Sequence, residues 1–568
     1  MTVGVDDTGL LSAVQQLRSE VQKATFPLDL LGVDEARSAQ SALLKSLDDY
    51  VIPRLTSLDA PLLSVVGGST GSGKSTLVNS LVGSVVSRSG VLRPTTRSPV
   101  LVHHRQDERW FTGSRVLPGL ARMTGSDGAR DDKGAVRLVA SETLPPGLAL
   151  LDAPDIDSVV QSNRELARQL LAAADLWLFV TTAARYADAV PWDLLRGASE
   201  RGASVAIVLN RVPPESMDVV RTHLASMLRE RGLARAPIFT ATETTLTEDG
   251  RLSEHEIARL RSWLSALARD AKARSIVVRR TLTGSLNSLH DRVLTLTRAT
   301  AEQDAAVADL HQEVATAYAA AMQAVEHGMR DGTLLRGEVL ARWQDFVGTG
   351  EFLRQVEAGI SHLRDRITAA IKGNPPPTSD LGEALQSGVA ELLTAQSRGA
   401  SAAVQRRWRQ LPGGPEVVAA HPELANPAPD GSSKVERLVR DWQGEVLDLV
   451  RAEGRDRRTM ARVLSFGVNG VGVILMLLVF SQTGGLTGGE VGIAGGSAVL
   501  AQRILEAIFG DQAVRDLAAK ARRDLLDKAE QLYAGEQARL HAAVASVEVS
   551  AGQADRLTAT STAVETVR

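Results

Sequence analysis

Leu62-Leu63-Ser64-Val65-Val66-Gly67 runs into Gly68-Ser69-Thr70-Gly71-Ser72-Gly73-Lys74-Ser75, and that into Thr76-Leu77-Val78-Asn79-Ser80-Leu81-Val82. An apolar β run enters a glycine-rich loop, which ends in Lys-Ser and opens an amphipathic helix. This is the G-x-x-x-x-G-K-S phosphate-binding pattern in its strand–loop–helix setting. Glycines let the backbone curl so that its N–H groups point inward at phosphate oxygens. The helix N-terminus adds the positive end of its dipole. The expected cradle is Gly68, Ser69, Thr70, Gly71, Ser72 and Gly73, continued by Lys74, Ser75 and Thr76. Lys74 is expected to reach the β- and γ-phosphates, and the Ser75 hydroxyl to ligate Mg²⁺. A glycine-rich turn before an ordinary helix is the competing reading. It leaves the joint register of strand, loop, Lys-Ser and helix unexplained.

Outward from this stretch, residues 58–270 alternate strand and helix patterns, which predicts an α/β P-loop NTPase domain. Its sheet is mostly parallel with helices on both faces. The strand candidates are Val100-Leu101-Val102-His103, Ala135-Val136-Arg137-Leu138-Val139, Leu148-Ala149-Leu150-Leu151, Leu176-Trp177-Leu178-Phe179-Val180, Val205-Ala206-Ile207-Val208-Leu209 and Pro237-Ile238-Phe239-Thr240. Several are continuous apolar runs, as expected of strands covered on both faces. Residues 1–57 carry helical periodicity closed by Pro53 and are expected to pack on helical material from the far end of the chain. Residues 271–462 read as a long helical bundle or stalk, broken at 373–377 and by a Pro- and Gly-rich loop or tip at 411–434. Residues 511–549 resume a heptad-like, coiled-coil-like pattern. Residues 550–568 are small and polar and read as a flexible tail.

Composition narrows the function. The 568 residues, with 44% hydrophobic and 23% charged content, are ordinary globular material with room for several domains. A net charge of −3 implies no general nucleic-acid affinity. There is no cysteine, which excludes disulfides and thiolate metal sites. The first residues are acidic, with no apolar core behind them, unlike a secretory signal.

A nucleotide hydrolase needs a second Mg²⁺ anchor at the end of a neighbouring strand. Leu148-Ala149-Leu150-Leu151-Asp152-Ala153-Pro154-Asp155 supplies Asp152 for it, holding the ion through water. Arg93-Pro94-Thr95-Thr96-Arg97 lies in the loop before Val100. A threonine there, Thr96 in preference to Thr95, is expected to ligate Mg²⁺ and to order the loop in the triphosphate state.

The Lys74-Ser75-Thr76-Leu77-Val78-Asn79-Ser80-Leu81 run resembles the translation-factor-like class of GTPases. The Pro94-Thr95-Thr96 loop and Asp152-Ala153-Pro154 resemble the switch I and switch II motifs of Era-like and dynamin-like GTPases. Helices on both sides and a late apolar segment make the layout similar to a bacterial dynamin-like protein. The resemblance covers residues 61–245 in its motifs and the remainder only in layout. It implies a GTP-binding GTPase using Mg²⁺, with Lys74, Thr96 and Asp152 in the catalytic set and Ser75, Thr96 and Asp152 around the metal.

Three positions depart from that family's pattern. Asp155 stands where switch II ends in glycine. Its N–H is kept for the γ-phosphate, but a carboxylate beside phosphate is repulsive unless it turns away or binds metal. Asn210-Arg211-Val212-Pro213 stands where Asn/Thr-Lys-x-Asp reads the base. Asn210 and Arg211 match in kind, but Pro213 replaces the guanine-reading Asp, so ATP is possible beside GTP. Thr70-Gly71 replace the Gln-Ser of dynamin loops, and no Gln follows Asp155 to orient water. Arg93, Arg97, Arg185 and Arg211 are candidates for a charge-stabilising arginine. His103 and His104 end a strand, with one expected to face solvent and neither assigned to catalysis.

Residues 463–480 are eighteen residues without a charge, followed by a glycine-rich stretch and further apolar residues to 500. A bilayer core of about 30 Å needs roughly 20 apolar helical residues. Arg457, Arg458 and Arg462 precede the segment and suit an anionic cytoplasmic surface. Residues 463–510 therefore read as an apolar hairpin that meets membrane lipid through 463–500. A buried core helix is the alternative. The reading in full is a cytoplasmic dynamin-like GTPase at the inner face of the cell membrane, working as a homo-oligomer or with a paralogue. The competing reading is a nucleotide-binding switch or scaffold with little hydrolysis and relaxed base choice.

Overall fold

The computed structural model describes residues 5–87, 98–113, 115–124, 134–158, 160–200, 203–330, 378–453 and 511–568. The chain divides into two compact units. The first comprises Met1–Phe26, Gly32–Ala301 and Val549–Arg568, and the second Pro27–Leu31 and Glu302–Glu548.

Strand and helix alternation builds the first unit. Helices α1 (Val5–Lys23), α2 (Val33–Ser46) and α3 (Ile52–Thr56) precede β1 (Leu62–Gly68) and α4 (Lys74–Val82). Then come β2 (Val100–His103), the single turn α5 (Glu108–Phe111), β3 (Ala121–Thr124), β4 (Ala135–Ala140), β5 (Leu148–Asp152) and α6 (Gln161–Ala172). They are followed by β6 (Leu176–Thr182), α7 (Ala189–Glu200), β7 (Ser204–Val212), α8 (Met217–Glu230), β8 (Ile238–Thr242), α9 (Glu254–Arg269) and α10 (Ala271–Arg330). The sheet order is β3-β4-β2-β5-β1-β6-β7-β8. Every neighbouring pair is parallel except β2 and β5, which run antiparallel.

The period of two along each strand sorts the core into two layers. Leu63, Val65, Leu151, Trp177, Phe179, Ile207 and Leu209 face the layer that includes Leu170 of α6, Leu195 of α7 and Leu228 of α8. Leu62, Val66, Leu150, Leu178, Val180 and Val208 face Leu77 and Leu81 of α4, Leu260 and Leu264 of α9 and Val278 of α10. Burying each such side chain contributes about 1.5–3 kcal/mol, which is why the central strands are apolar on both faces. Strand β3 had no clear signal in the sequence: Ala-Arg-Met-Thr carries no run of β-formers, and pairing with β4 holds it at the edge.

A separate helical cluster belongs to the same unit. Val14, Leu17 and Val21 of α1, Leu43 of α2, and Leu282, Leu286, Leu289, Val293 and Leu296 of α10 pack with Leu557 and Val564 of helix Gln553–Val567. This corrects two expectations. Residues 550–568 are not a frayed tail. Their Ala, Ser and Thr side chains allow close approach to α1, with Gly9 against Val567, and Leu557 and Val564 are buried. The bundle also does not start at residue 271. The leucine stripe of α10 as far as Leu296 packs with α1 and α2 in the first unit.

The second unit is a helical bundle. The part of α10 beyond Ala301 packs with helices Thr378–Trp408, Gly431–Glu453 and Asp511–Ala545 around Leu310, Val314, Tyr318, Val404, Trp408, Val439, Trp442, Leu525 and Tyr533. The polar tips of the buried aromatics all find partners. Trp408 Nε1 donates to the Leu310 carbonyl at 3.0 Å, Trp442 Nε1 to that of Ala521 at 2.9 Å, and the Tyr533 hydroxyl to that of Leu393 at 2.8 Å. The stretch 411–434 is not an open loop. It folds as helix Gly414–Ala420, a 3₁₀ turn Pro422–Ala425 and the start of helix Gly431–Glu453, anchored by buried Val417 and Leu424. Gly413, at φ +75°, makes the left-handed entry, and the proline at the start of the first helix needs no hydrogen-bond acceptor.

Residues 463–500 lie outside the described residues. Among the described residues no helix is long and apolar enough to cross a membrane.

Candidate nucleotide site

The loop between β1 and α4 is shaped by backbone demands that only glycine meets at two points. A Cβ on Gly68 would run into the Val180 carbonyl oxygen of β6, and Gly68 sits at φ +155°. Gly73, at φ +89°, has Asn210 Nδ2 where its Cβ would be. Asn210, at the end of β7, donates from that nitrogen to the Ser72 carbonyl at 2.8 Å and accepts the Arg211 N–H on Oδ1 at 3.0 Å. Arg211 adopts a left-handed φ of 55°. Asn210 thus holds the loop from the end of β7, while Arg211 is exposed. Within the loop, Gly71 has φ +77°, Ser72 N–H donates to the Ser69 carbonyl at 3.1 Å, and Thr76 lies buried in the first turn of α4. The Ser69 and Ser72 hydroxyls are buried and have no hydrogen-bond partner among the described residues.

Lys74 is buried, its Nζ donating to the Ser69 carbonyl at 3.1 Å and forming an ion pair with the Asp155 carboxylate. Two residues on, Asp157 accepts the Thr70 backbone N–H at 2.6 Å and the Thr70 hydroxyl at 2.7 Å on one oxygen. Its other oxygen takes Arg185 Nη1 at 2.9 Å. Burial pushes the Asp157 carboxyl up, but the Thr70 bonds and Arg185 outweigh it and hold the group below the usual carboxylate range. Segment 155–157 therefore lies across the loop by two carboxylates.

Asp152 closes β5, fully buried, beside β1 in the register Val66–Asp152. Its Oδ2 accepts the Ser75 hydroxyl at 2.7 Å and the Ser87 hydroxyl at 2.5 Å. Its Oδ1 is buried without a hydrogen-bond partner among the described residues. Burial raises the carboxyl's pKa above the usual value, although both serines and Lys74 pull the other way. A half-satisfied buried carboxylate next to a serine hydroxyl is an all-oxygen donor set of the kind a hard divalent cation takes. Ser87 carried no signal in the sequence. Its position comes from Asn79, whose Oδ1 accepts the Val86 and Ser87 N–H groups at 2.9 Å each and whose Nδ2 donates to the Ser87 carbonyl at 2.7 Å. Among the described residues no group of three or more His, Asp or Glu side chains is placed to hold a metal ion on its own.

Other candidates separate from this centre. Thr95, Thr96, Arg93 and Arg97 lie outside the described residues. Arg185 is engaged by Asp157. Neither His103 nor His104 faces solvent, which corrects the expectation for that pair. His103 stacks on Phe111 at 5.3 Å, and His104 accepts the Gln106 N–H at 3.1 Å, so both are structural. At the end of β8, Thr242 gives its N–H at 2.5 Å and its hydroxyl at 2.6 Å to the Glu256 carboxylate of α9.

The sequence model of the Dynamin family matches residues 64–212, the span from β1 to the end of β7. The chain carries a dynamin-family GTPase domain. Members of that family are GTP hydrolases, and the matched span contains the loop 68–76, Asp152 at the end of β5 and Asn210 near the end of β7. No curated protein matches the sequence. Among solved structures, a bacterial dynamin from an oligomerised pair that senses and tethers membranes aligns with a TM-score of 0.43 and 9% identity, over 99% of this chain and 96% of its own. LeoA, a bacterial dynamin GTPase from ETEC, aligns at 0.24 and 11%, over 95% and 99%. Toc33 from Arabidopsis thaliana, in complex with Mg²⁺ and GMPPNP, aligns at 0.23 and 16%, over 43% and 92%.

Proposed function

We propose that the chain binds GTP with Mg²⁺ in the loop 68–76 and couples its hydrolysis to self-association and to membrane binding. The observation that carries the nucleotide part is Asp152. It is wholly buried, bound by Ser75 and Ser87 on one oxygen, and left with the other oxygen unpaired among the described residues. Ser75 and Asp152, with Thr96 from the preceding loop, would hold the ion. A bound Mg²⁺ would neutralise phosphate charge as the terminal phosphate departs. The chain's own work is positional. The backbone N–H groups of Gly71 and of residues 73–76 at the N-terminus of α4 would face the phosphates, Lys74 offers a buried cation, and Asn210 keeps the loop in shape. The membrane part rests on residues 463–500 and the arginines before them, and the oligomer or paralogue partner on the dynamin-like layout. These support a reading of the protein at the cytoplasmic face of a membrane.

A switch with little turnover and relaxed base choice is the second reading. The Lys74–Asp155 ion pair and Pro213 in the base-reading motif favour it.

The test is nucleotide binding and hydrolysis by the full chain with Mg²⁺, GTP against ATP, with and without anionic liposomes. GTP binding lost in Lys74→Ala and in Asp152→Ala, and lipid-stimulated turnover, support the first reading. Unchanged binding in Lys74→Ala overturns the site. Liposome sedimentation that survives deletion of 463–500 overturns the membrane part.

A further inference from the structure

We infer that Asp155 sets the discrimination between nucleoside tri- and diphosphate, by occupying on Lys74 the place that a terminal phosphate must take. The inference rests on the reading of loop 68–76 as a nucleoside-phosphate site. Lys74 has three donors and no freedom to turn away. It is buried, with one hydrogen on the Ser69 carbonyl and another on the Asp155 carboxylate. The carboxylate is delivered by β5, whose end lies beside β1, and Ile156 is buried behind it with its N–H directed to the Gly68 carbonyl at 3.4 Å. Asp157 fixes the far side of the segment on the Thr70 N–H and hydroxyl, and Arg185 fixes Asp157. The segment is thus tied down at both ends, and Asp155 is held on the lysine.

The chemistry of this arrangement is asymmetric. A carboxylate on a buried ammonium is a small anion in a phosphate cradle. A diphosphate can be held by the backbone N–H groups and the third Lys74 donor. A triphosphate adds an anionic group that competes with Asp155 for the same ammonium and is repelled by it while the pair persists. Loading with triphosphate therefore requires Asp155 to leave Lys74, and loading with diphosphate does not. A glycine in this position brings no such competitor. The consequence is a site biased toward its empty and diphosphate states until something moves the 155–157 segment.

The experiment measures GTP and GDP affinities of the full chain in Mg²⁺ buffer, by calorimetry, for wild type, Asp155→Asn and Asp155→Gly. Thermal melts show that each variant is folded. The Asp155 side chain is 22% exposed, so neither change opens a closed cavity, and the buried Lys74 keeps its bond to the Ser69 carbonyl. The expected result is GTP binding tightened about tenfold in both variants, the equivalent of one charge-assisted hydrogen bond, with GDP affinity moved by less than about threefold. Wild type that binds only GDP, with variants that gain GTP, is the same result in stronger form. A GTP-to-GDP affinity ratio unchanged in both folded variants, or GTP binding weakened in both, overturns the inference and leaves the nucleotide site standing. If wild type and both variants bind neither nucleotide, the site reading fails and the inference falls with it.

Discussion

Asp175 offers the sharpest test of how the first unit is held together. It precedes β6, is wholly buried, and takes four donors. Arg54 Nε donates at 2.9 Å, Leu63 N–H at 2.8 Å and the Tyr50 hydroxyl at 3.2 Å, with Arg54 Nη2 in a close ion pair. Arg54 spends its remaining hydrogens on the Ser57, Ala60 and Pro61 carbonyls, at 3.3, 3.2 and 3.0 Å. Burial pushes the Tyr50 hydroxyl's pKa well up, so it stays a donor. Asp175→Ala strands a guanidinium whose side chain is only 7% exposed, and orphans the Leu63 N–H at the start of β1. Removing one partner of such a pair costs about 3–5 kcal/mol, and the unpaired N–H about 1–3 kcal/mol more. Because water entering the cavity relieves part of both, the expected loss is about 4–6 kcal/mol against a domain stability of about 5–15. Asp175→Asn, with the same shape and no charge, should lose roughly half of that. The double change Arg54→Met with Asp175→Ala should cost less than the sum of the single changes by about 2 kcal/mol or more, because no charge is then stranded. Urea unfolding followed by tryptophan fluorescence reads it, since Trp177 is buried on β6 two residues away. A loss below about 1 kcal/mol for Asp175→Ala, or strict additivity in the double variant, would refute the reasoning.

Four further outcomes are expected. Gly68→Ala, driven against the Val180 carbonyl, should abolish GTP binding and lower the first unit's stability by about 1–3 kcal/mol. Gly32→Ala, left-handed at φ +87° but in open space, should cost only about 1–2 kcal/mol and leave GTP affinity intact in a binding titration. Deleting residues 550–568 removes Leu557, Val564 and the Gln553 bridge, which joins Thr25 to Thr300. At about 1.5–3 kcal/mol for each apolar side chain, calorimetry should show a lowered melting transition and aggregation through the bared face of α1. An unchanged transition would show that the C-terminal helix contributes nothing.

The fourth concerns pH. His541 Nδ1 lies 2.6 Å from His311 Nδ1, and His311 Nε2 lies 3.0 Å from Glu548. Burial and then the neighbouring His311 lower the His541 pKa below its usual value. The unfolded chain then binds the extra proton first. This contribution is therefore complete above about pH 6.5 and is lost as pH falls through the unfolded value toward the folded one. The bundle's melting temperature should drop between pH 7.5 and 5.5, and His541→Gln should flatten that slope.

Local chemistry made much of the site legible. Glycines at fixed offsets, a Lys-Ser pair and an aspartate closing an apolar strand are short-range requirements of phosphate and cation binding. They leave the same trace in any chain that meets them. The strands of the sheet's centre were legible for a similar reason, since two-faced burial writes a continuous apolar run. Strand β3 was not, because an edge position is decided by its partner and not by its residues. Asp157 and Ser87 went unseen because their roles depend on loops brought together by the sheet. No spacing in the sequence relates Asp157 to Thr70 or Ser87 to Asp152.

By itself the amino-acid order determined that residues 68–76 carry a phosphate-binding pattern, that a mostly parallel sheet holds that loop, and that Asp155 and Pro213 depart from the usual pattern. Only the tertiary structure decided what Asp155 does: it lies on Lys74 because β5 ends beside β1. It also decided that residues 553–567 are a packed helix and that α10 belongs in part to the first unit. The physical reason is the same in each case. A motif reports what a segment can bind with its own atoms. A carboxylate's partner, or the burial of a weakly apolar helix, is settled by surfaces from distant parts of the chain.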